Sequence, residues 1–109
     1  VFIDSIVVDS DFNIKLVSQN VLDYLGFNHE ELYNKNINYL AGNDAIDVDM
    51  RNALDEGCFE DSEYTFFCKD SKKLSVLICG FYLGMISDIN GRIVLRVKKN
   101  ENTKDISLQ

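Results

Sequence analysis

The sequence predicts a single α+β domain, with one antiparallel sheet and four short helices gathered on one of its faces. Apolar side chains alternate with a period of two near both ends of the chain, which is typical of half-buried strands. Short links between these segments indicate hairpins. Residues that typically begin or end helices are concentrated between positions 18 and 57. The 109 residues suit one domain, and we assign 1–99 to it and 100–109 to a polar tail or linker.

Two strands are predicted ahead of the helices. Residues 1–9 are rich in β-branched side chains, and residues 14–17 follow after a short turn. In the second strand we expect Ile14 and Leu16 to face the core, with Lys15 outside. The short link between the two strands predicts a hairpin.

The first two helices are predicted from their ends. Ser18 is expected to cap the first helix, its hydroxyl accepting a hydrogen bond from an amide of the first turn. Gly26 supplies the left-handed residue that ends this helix. Asn28 and Glu31 have the spacing of a capping box and therefore predict the start of a second helix.

Two further helices complete the helical region. A short third turn over 37–41 ends at Gly42, and Asp44 is the expected cap of a fourth helix over 45–56, which Gly57 stops. The fourth helix carries a stripe of apolar side chains at helical spacing, which predicts that it packs on another layer. The stripe consists of Ile46, Met50, Ala53 and Leu54.

Three strands are predicted after the helices, over 60–69, 74–86 and 92–98, with an Asn-Gly hairpin turn at 88–91. The middle strand is apolar on both faces. Its faces carry Leu74, Val76, Ile78, Tyr82 and Ile86, and Leu77, Cys79, Phe81, Leu83 and Met85. One face must pack on the helices, so the other leaves an apolar patch, which usually marks an interface. We predict a homodimer or a docking contact through this face, with Leu77, Phe81 and Leu83 as interface residues.

The composition narrows the classes of partner. A net charge of −7 argues against nucleic acid as a partner and against contact with an anionic membrane surface.

The chain has three cysteines, an odd number, and they include no C-x-x-C pair, so we expect no disulfide framework and no zinc site. We interpret Cys68 and Cys79 as small apolar residues within strands. The longest apolar run is too short to span a bilayer, and we expect a cytoplasmic domain whose parent protein could be membrane-anchored.

No catalytic or metal site is predicted. His29 is the only histidine and sits at a helix start, flanked by Glu30 and Glu31, whose side chains point apart on a helix. Lys35 follows Glu31 by four residues and is expected to form a weak ion pair with it. The chain has no nucleophile elbow and no glycine-rich phosphate loop, and its acidic run does not have the spacing of a calcium loop.

The runs LVSQNVLDYLGFNHEELYNKNI and SDINGRIVLRV resemble the PAS domain family, and the similarity extends from about Ile6 to Val97. The resemblance implies a five-stranded antiparallel sheet in the order 2-1-5-4-3, with helices that form a cavity over one face. It also implies a non-catalytic sensor or interaction module of a larger, often bacterial signalling protein. Such proteins include histidine kinases of two-component systems and cyclic-dinucleotide enzymes. The module often dimerises and passes its signal to an output domain.

The chain departs from the cofactor-binding members of the family. Flavin-binding light sensors carry Asn-Cys-Arg-Phe-Leu where this chain has NINYL at 36–40, and Ile37 provides no thiol for a flavin adduct. Haem-binding members use a histidine on the fourth helix or near it, and 45–56 contains none. The family often ends in Asp-Ile-Thr, whereas 99–103 reads KNENT, which weakens the inference about how a signal leaves the domain. The cofactor, if there is one, stays unnamed.

The cavity implied by the resemblance is the candidate site. Its predicted wall consists of Ile37, Tyr39, Leu40, Met50, Phe66 and Ile78. An apolar wall favours a small apolar ligand, and the alternative is that these side chains simply fill the core. The function predicted is a sensory or regulatory module that binds a ligand, dimerises or does both. The alternatives are a ligand-free dimerisation or protein-interaction module, and a small cone-shaped α+β isomerase, which would need a buried carboxylate.

Overall fold

The computed structural model describes residues 4–42, 45–84 and 91–100. The elements in chain order are β1 (Ser5–Asp9), β2 (Ile14–Val17), α1 (Gln19–Leu25), α2 (His29–Leu32), α3 (Asn38–Ala41), α4 (Ala45–Glu56), β3 (Cys58–Phe67), β4 (Lys73–Leu83) and β5 (Arg92–Lys99). The strands form one sheet in the order β2-β1-β5-β4-β3, and every neighbouring pair is antiparallel. The predicted α+β class and the strand order implied by the resemblance are therefore confirmed.

Several sequence predictions lie outside the described residues. They concern the first three residues, the cap Asp44, the end of the long strand at Met85 and Ile86, most of the Asn-Gly turn, and the tail over 101–109. In the part of the chain that is described, no helix has the length and apolar character needed to cross a membrane.

The predicted strand over 60–69 extended too far toward its carboxyl end. The strand ends at Phe67, and Cys68 lies in the turn that follows, where its amide donates to the Lys72 carbonyl over 2.8 Å. Ser71 takes a φ of 72° in this turn and its amide donates to the Cys68 carbonyl. The backbone amide and carbonyl groups of Cys68 therefore form hydrogen bonds within the turn and do not continue the hydrogen-bond ladder of the sheet. The prediction that Cys68 lies within a strand is wrong.

The prediction that Leu16 faces the core is also wrong. Its side chain is 60% exposed, whereas Ile14 is fully buried. The pairing of β1 with β2 shifts between Val7 and Val8, so that Val7 faces Leu16 but Val8 faces Ile14. One extra residue on β2, Lys15, forms a bulge, and a shift of one residue moves a side chain to the opposite face of the sheet.

The helix ends follow the sequence signals with one exception. Asn28 and Glu31 form the predicted capping box, with reciprocal hydrogen bonds of 3.0 and 3.1 Å, and Gly26 takes a left-handed φ of 84°. Ser18 stands at the N-cap of α1, but its hydroxyl accepts from the Ser5 amide over 3.1 Å and makes no cap bond. The Ser18 side chain therefore joins α1 to the start of β1, and the predicted cap bond is absent.

One hydrophobic core lies between the sheet and the helices. The apolar stripe of α4 faces this core as predicted, with Ile46, Met50 and Ala53 fully buried and Leu54 half-buried. Alternate residues of the central strands, such as Ile78 and Leu95, are buried on the side of the sheet that faces the helices. We call this side of the sheet the inner face and the opposite side the outer face.

Candidate functional site

The structure brings five of the six predicted wall residues together on the inner face. They come from α4, from β3 and β4, and from the start and middle of the α3 turn, and each has a relative exposure of 0% within one core cluster. These residues are Ile37, Leu40, Met50, Phe66 and Ile78. Their side chains carry no charge and no hydrogen-bonding group apart from the weak acceptor in Met50. They belong to one packed core cluster and offer no group that could neutralise an ionic ligand.

Tyr39 does not join the other five. Its side chain is 52% exposed, with its ring centroid 6.0 Å from that of Phe27 and 5.1 Å from the Lys35 ammonium. Ile37 and Leu40 are three residues apart and share the inner side of this helical turn. Tyr39 points away from that side and covers the outside of the helical layer.

Two polar contacts hold α4 against its neighbours at the rim of the core. The hydroxyl of Tyr64 on β3 donates to the Asp49 carboxylate of α4, and Asn38 Nδ2 donates to Asp47 over 3.3 Å. Burial, followed by the hydrogen bond to Asp49, raises the pKa of Tyr64 above its ordinary value of 10.0. Neither contact was predicted from the sequence, although the two acids at 47 and 49, near the start of the fourth helix, could have suggested polar anchors there.

The outer face carries all three predicted interface residues on β4, with Cys79 between Leu77 and Phe81. Phe81 is 42% exposed, Leu83 is 49% exposed and Leu77 is half-buried. Phe81 pairs with Val94 of β5, Val94 pairs with Val7 of β1, and Val7 pairs with Leu16. An apolar row therefore crosses the outer face from β4 to the far edge strand.

Charged side chains flank β4 on the outer face, with opposite signs on its two sides. On the β5 side the outward residues include Arg92, Arg96 and Lys98, which are all cationic. On the β3 side, Asp61 lies in the bulge opposite Cys79, and Glu63 pairs with Leu77. A depression of about 310 Å³ lies at this point, and its lining includes Asp4, Asp61, Cys79, Arg96 and Lys98. Burial, followed by the Asp61 carboxylate, raises the pKa of the Cys79 thiol.

Sequence analysis missed Asp61 and Arg96 as possible contact residues. The period of two shows that Arg96 points outward, but it does not show that Cys79 is its cross-strand neighbour. That relation depends on the pairing of β4 with β5 and on the bulge in β3. The strand order implied by the resemblance could have shown that β3 and β5 lie on either side of β4, but not which of their residues lie opposite Cys79.

The polar residues around α2 take part in an ion pair and in a ring contact. The Lys69 ammonium lies 2.5 Å from the Glu31 carboxylate, so Glu31 pairs with Lys69 of the β3–β4 turn, and the predicted pairing with Lys35 is wrong. The hydrogen bond from Lys69, followed by that from the Asn28 amide, lowers the pKa of Glu31. The His29 ring is half-buried, with its centroid 5.9 Å from that of Tyr33. Within the described residues there is no group of three side chains that could hold a metal ion.

Comparisons with solved structures agree with this architecture. A PAS domain from a two-component sensor histidine kinase superposes with a TM-score of 0.76 at 10% identity, over 90% of this chain and 85% of the other. The PAS domain of an HTR-like protein from Haloarcula marismortui gives 0.75 at 19% identity, over 90% and 86% of the two chains. The PAS-B domain of Cycle from Drosophila melanogaster, with bound ethylene glycol, gives 0.80 at 12% identity, over 89% and 99%.

These structural matches establish the fold. The search of curated proteins gives no match. The family comparison is independent of the coordinates, and it matches the PAS domain family over residues 3–107. That range includes the five strands and the four helices described above. By its sequence and by its fold, the chain belongs to the PAS domain family.

Proposed function

We propose that this PAS domain is a non-catalytic sensory or regulatory module of a multidomain signal-transduction protein, and that it acts through its outer sheet face. The partner that we propose for this face is a second copy of the chain. A PAS domain from a sensor histidine kinase among the structural matches supports the signalling role by analogy. The outer face would relay changes in the packing of the helices on the sheet to the partner.

The observation that carries the proposal is the uncovered apolar strip of β4. Phe81 and Leu83 expose nearly half of their side chains next to one another, although an aromatic side chain contributes most when it is buried. The apolar row continues through Val94 and Val7 on the neighbouring strands. Contiguous apolar area of this kind on an otherwise charged domain favours a protein contact.

Sedimentation velocity from about 1 µM to about 1 mM tests this contact. We expect a monomer–dimer equilibrium for the wild-type chain and a monomer at all concentrations for Phe81→Glu, because the substitution buries an unpaired carboxylate in the contact. Tyr33→Glu is the matched control, since Tyr33 is 48% exposed on the helical side of the domain and should leave the equilibrium unchanged. A wild-type chain that stays monomeric, or a Phe81→Glu variant that still dimerises, would contradict the proposal.

A small apolar ligand in the interior is the second candidate, and the packing of Ile37, Leu40, Met50, Phe66 and Ile78 favours it over an ionic one. Among the described residues, none of the buried side chains carries a charge. They therefore offer no buried carboxylate of the kind that the isomerase alternative requires.

Native mass spectrometry and an absorption spectrum of the purified chain test the ligand. A retained small molecule, lost in Ile78→Phe because the larger side chain fills its space, is the expected result. A mass equal to that of the bare chain in several expression hosts would favour the ligand-free interaction module.

A further inference from the structure

The outer face of β3, β4 and β5 has a charge pattern that changes sign across its middle strand. Asp61 and Glu63 on β3 lie on one side of the apolar strip of β4, and Arg96 and Lys98 on β5 lie on the other. Neighbouring strands are about 4.8 Å apart, so the acidic and basic stripes lie about 10 Å from each other. The chain as a whole has a net charge of −7, which makes the cationic stripe unusual.

The acidic and basic residues also lie opposite the same residues of β4, at the same positions along the strand direction. Arg96 pairs with Cys79, and Asp61 lies in the β3 bulge opposite the same cysteine. One step along the strand, Lys98 and Glu63 both pair with Leu77. At each of these two positions, an acid and a base therefore stand on opposite sides of β4.

Neither Asp61 nor Arg96 takes part in an ion pair with another described residue of the chain. Glu63 accepts hydrogen bonds from Ser75 and Asn100, at 3.0 and 2.8 Å, which fix its carboxylate on this face without neutralising it. The exposed charges of Arg96 and Lys98 are solvated in the single chain and are available to an outside partner. The pattern calls for an outside partner with the same stripes in reverse order.

A second copy of the chain meets this requirement in one orientation. Two aligned sheets that pack face to face by two-fold symmetry have their axis in the plane between them, either nearly along the strands or nearly across them. An axis along β4 lays β3 of one copy over β5 of the other, which puts acid over base on both sides. An axis across the strands lays β5 over β5 and β3 over β3, so that like charges meet.

We propose that the domain forms a parallel two-fold dimer with its axis along β4, in which Asp61 of each copy faces Arg96 of the other. This inference rests on the proposed function, since it assigns the geometry and specificity of the same outer face. Glu63 and Lys98 form the second set of pairs, and the apolar strip around Phe81 packs on its own copy along the axis. Because the interface is isologous, each ion pair occurs twice.

Two charge reversals test this geometry in trans. Asp61→Arg places two cations against each other, and Arg96→Asp places two carboxylates against each other. Each variant alone should raise the dimer dissociation constant by about tenfold or more. An equimolar mixture should restore the wild-type dissociation constant. In the mixed dimer the two substituted positions face each other with opposite charges, and the native pair forms on the second side. Native mass spectrometry identifies the mixed dimer from the different masses of the two variants.

The controls separate this inference from the proposal on which it rests. Both positions are exposed, so the variants should fold, which circular dichroism checks. Asp55→Arg reverses an exposed charge on α4 and should leave the dissociation constant unchanged. One outcome would overturn the parallel geometry alone: the wild-type chain dimerises and Phe81→Glu is monomeric, but the mixture does not regain the wild-type dissociation constant. The outer face would then still be the contact surface. If the wild-type chain is a monomer up to about 1 mM, both proposals are overturned.

Discussion

On the inner face of the sheet, Val76 and Ile78 of β4 are fully covered, whereas on the outer face Phe81 and Leu83 of the same strand expose 42% and 49% of their side chains. The strand is apolar on both sides, so hydrophobicity alone does not distinguish them. The difference comes from the neighbours. Inner-face residues meet the apolar stripe of α4, while outer-face residues are flanked by charges from β3 and β5.

This contrast separates two uses of apolar side chains. The inner face provides the free energy of folding, because its side chains leave water when the helices pack on them. The outer face keeps a narrow apolar strip that contributes less to folding and remains available for association. Substitutions on the two faces should therefore affect different measurements.

The largest effect is expected when the same residue type is truncated on each face. Phe66→Ala on β3 removes a fully buried ring and should lower the free energy of unfolding by about 3–5 kcal/mol. Phe81→Ala on β4 removes a ring that is already 42% exposed and should cost about 1 kcal/mol at low protein concentration. Urea unfolding of both variants measures the difference, and equal losses would contradict the distinction between the faces. A loss for Phe81→Ala that grows with protein concentration would sharpen it, because association stabilises the folded state.

A smaller effect is expected at Gly80, where the inner face has no room for a side chain. Gly80 pairs with Phe59 across the β3–β4 ladder, and a Cβ at Gly80 would overlap the Phe59 ring. Gly80→Ala should therefore lower the melting temperature, with a loss of about 1–3 kcal/mol in the free energy of unfolding. Gly84→Ala makes the same chemical change with no atom within 4 Å of the new Cβ, and it should be close to neutral. Equal melting temperatures for the two variants would show that Phe59 can move aside without cost.

The hydrogen bond between Tyr64 and Asp49 should contribute about 1 kcal/mol, as one bond at the rim of the inner face. Tyr64→Phe keeps the ring and removes only the hydroxyl, so the loss in the free energy of unfolding reports this bond. Tyr33→Phe is the control, because Tyr33 is 48% exposed and its ring, not its hydroxyl, contacts Lys15. Guanidinium unfolding of both variants gives the comparison, and equal losses would mean that the contact does not hold α4 to β3.

These contrasts also show which parts of the molecule a sequence can predict. The capping box of Asn28 and Glu31 was predictable because both partners lie within three residues and depend on one local geometry. Leu16 was placed on the wrong face because the bulge at Lys15 depends on how β2 pairs with β1. Ser18 bonds to Ser5, thirteen residues away, which no local rule anticipates.

The residues of the candidate site also differ in whether the sequence alone predicts their positions. Burial of Ile37, Leu40 and Met50 follows from the apolar periodicity of their helices. The placement of Asp61 and Arg96 on opposite sides of Cys79 follows from the register of three strands, which the sequence does not specify. Predictions of composition and periodicity therefore located the interior, whereas the charge pattern of the outer face required the assembled sheet.

The smallest effect is expected away from both faces, at the ion pair between Glu31 and Lys69. The hydrogen bond from Lys69 lowers the pKa of Glu31 below its ordinary value of 4.5, so the folded state holds the ionised form more strongly than the unfolded state does. The resulting stability is present above pH 4.5 and is lost as the pH falls through the lower pKa of the folded state. Lys69→Met should flatten this part of the pH dependence of the free energy of unfolding, because the charged partner is gone. Lys73→Met removes an exposed lysine from β4 and should leave the profile parallel to that of the wild-type chain. A Lys69→Met profile that also stays parallel would show that solvent screens the pair completely, since Glu31 lies at the surface.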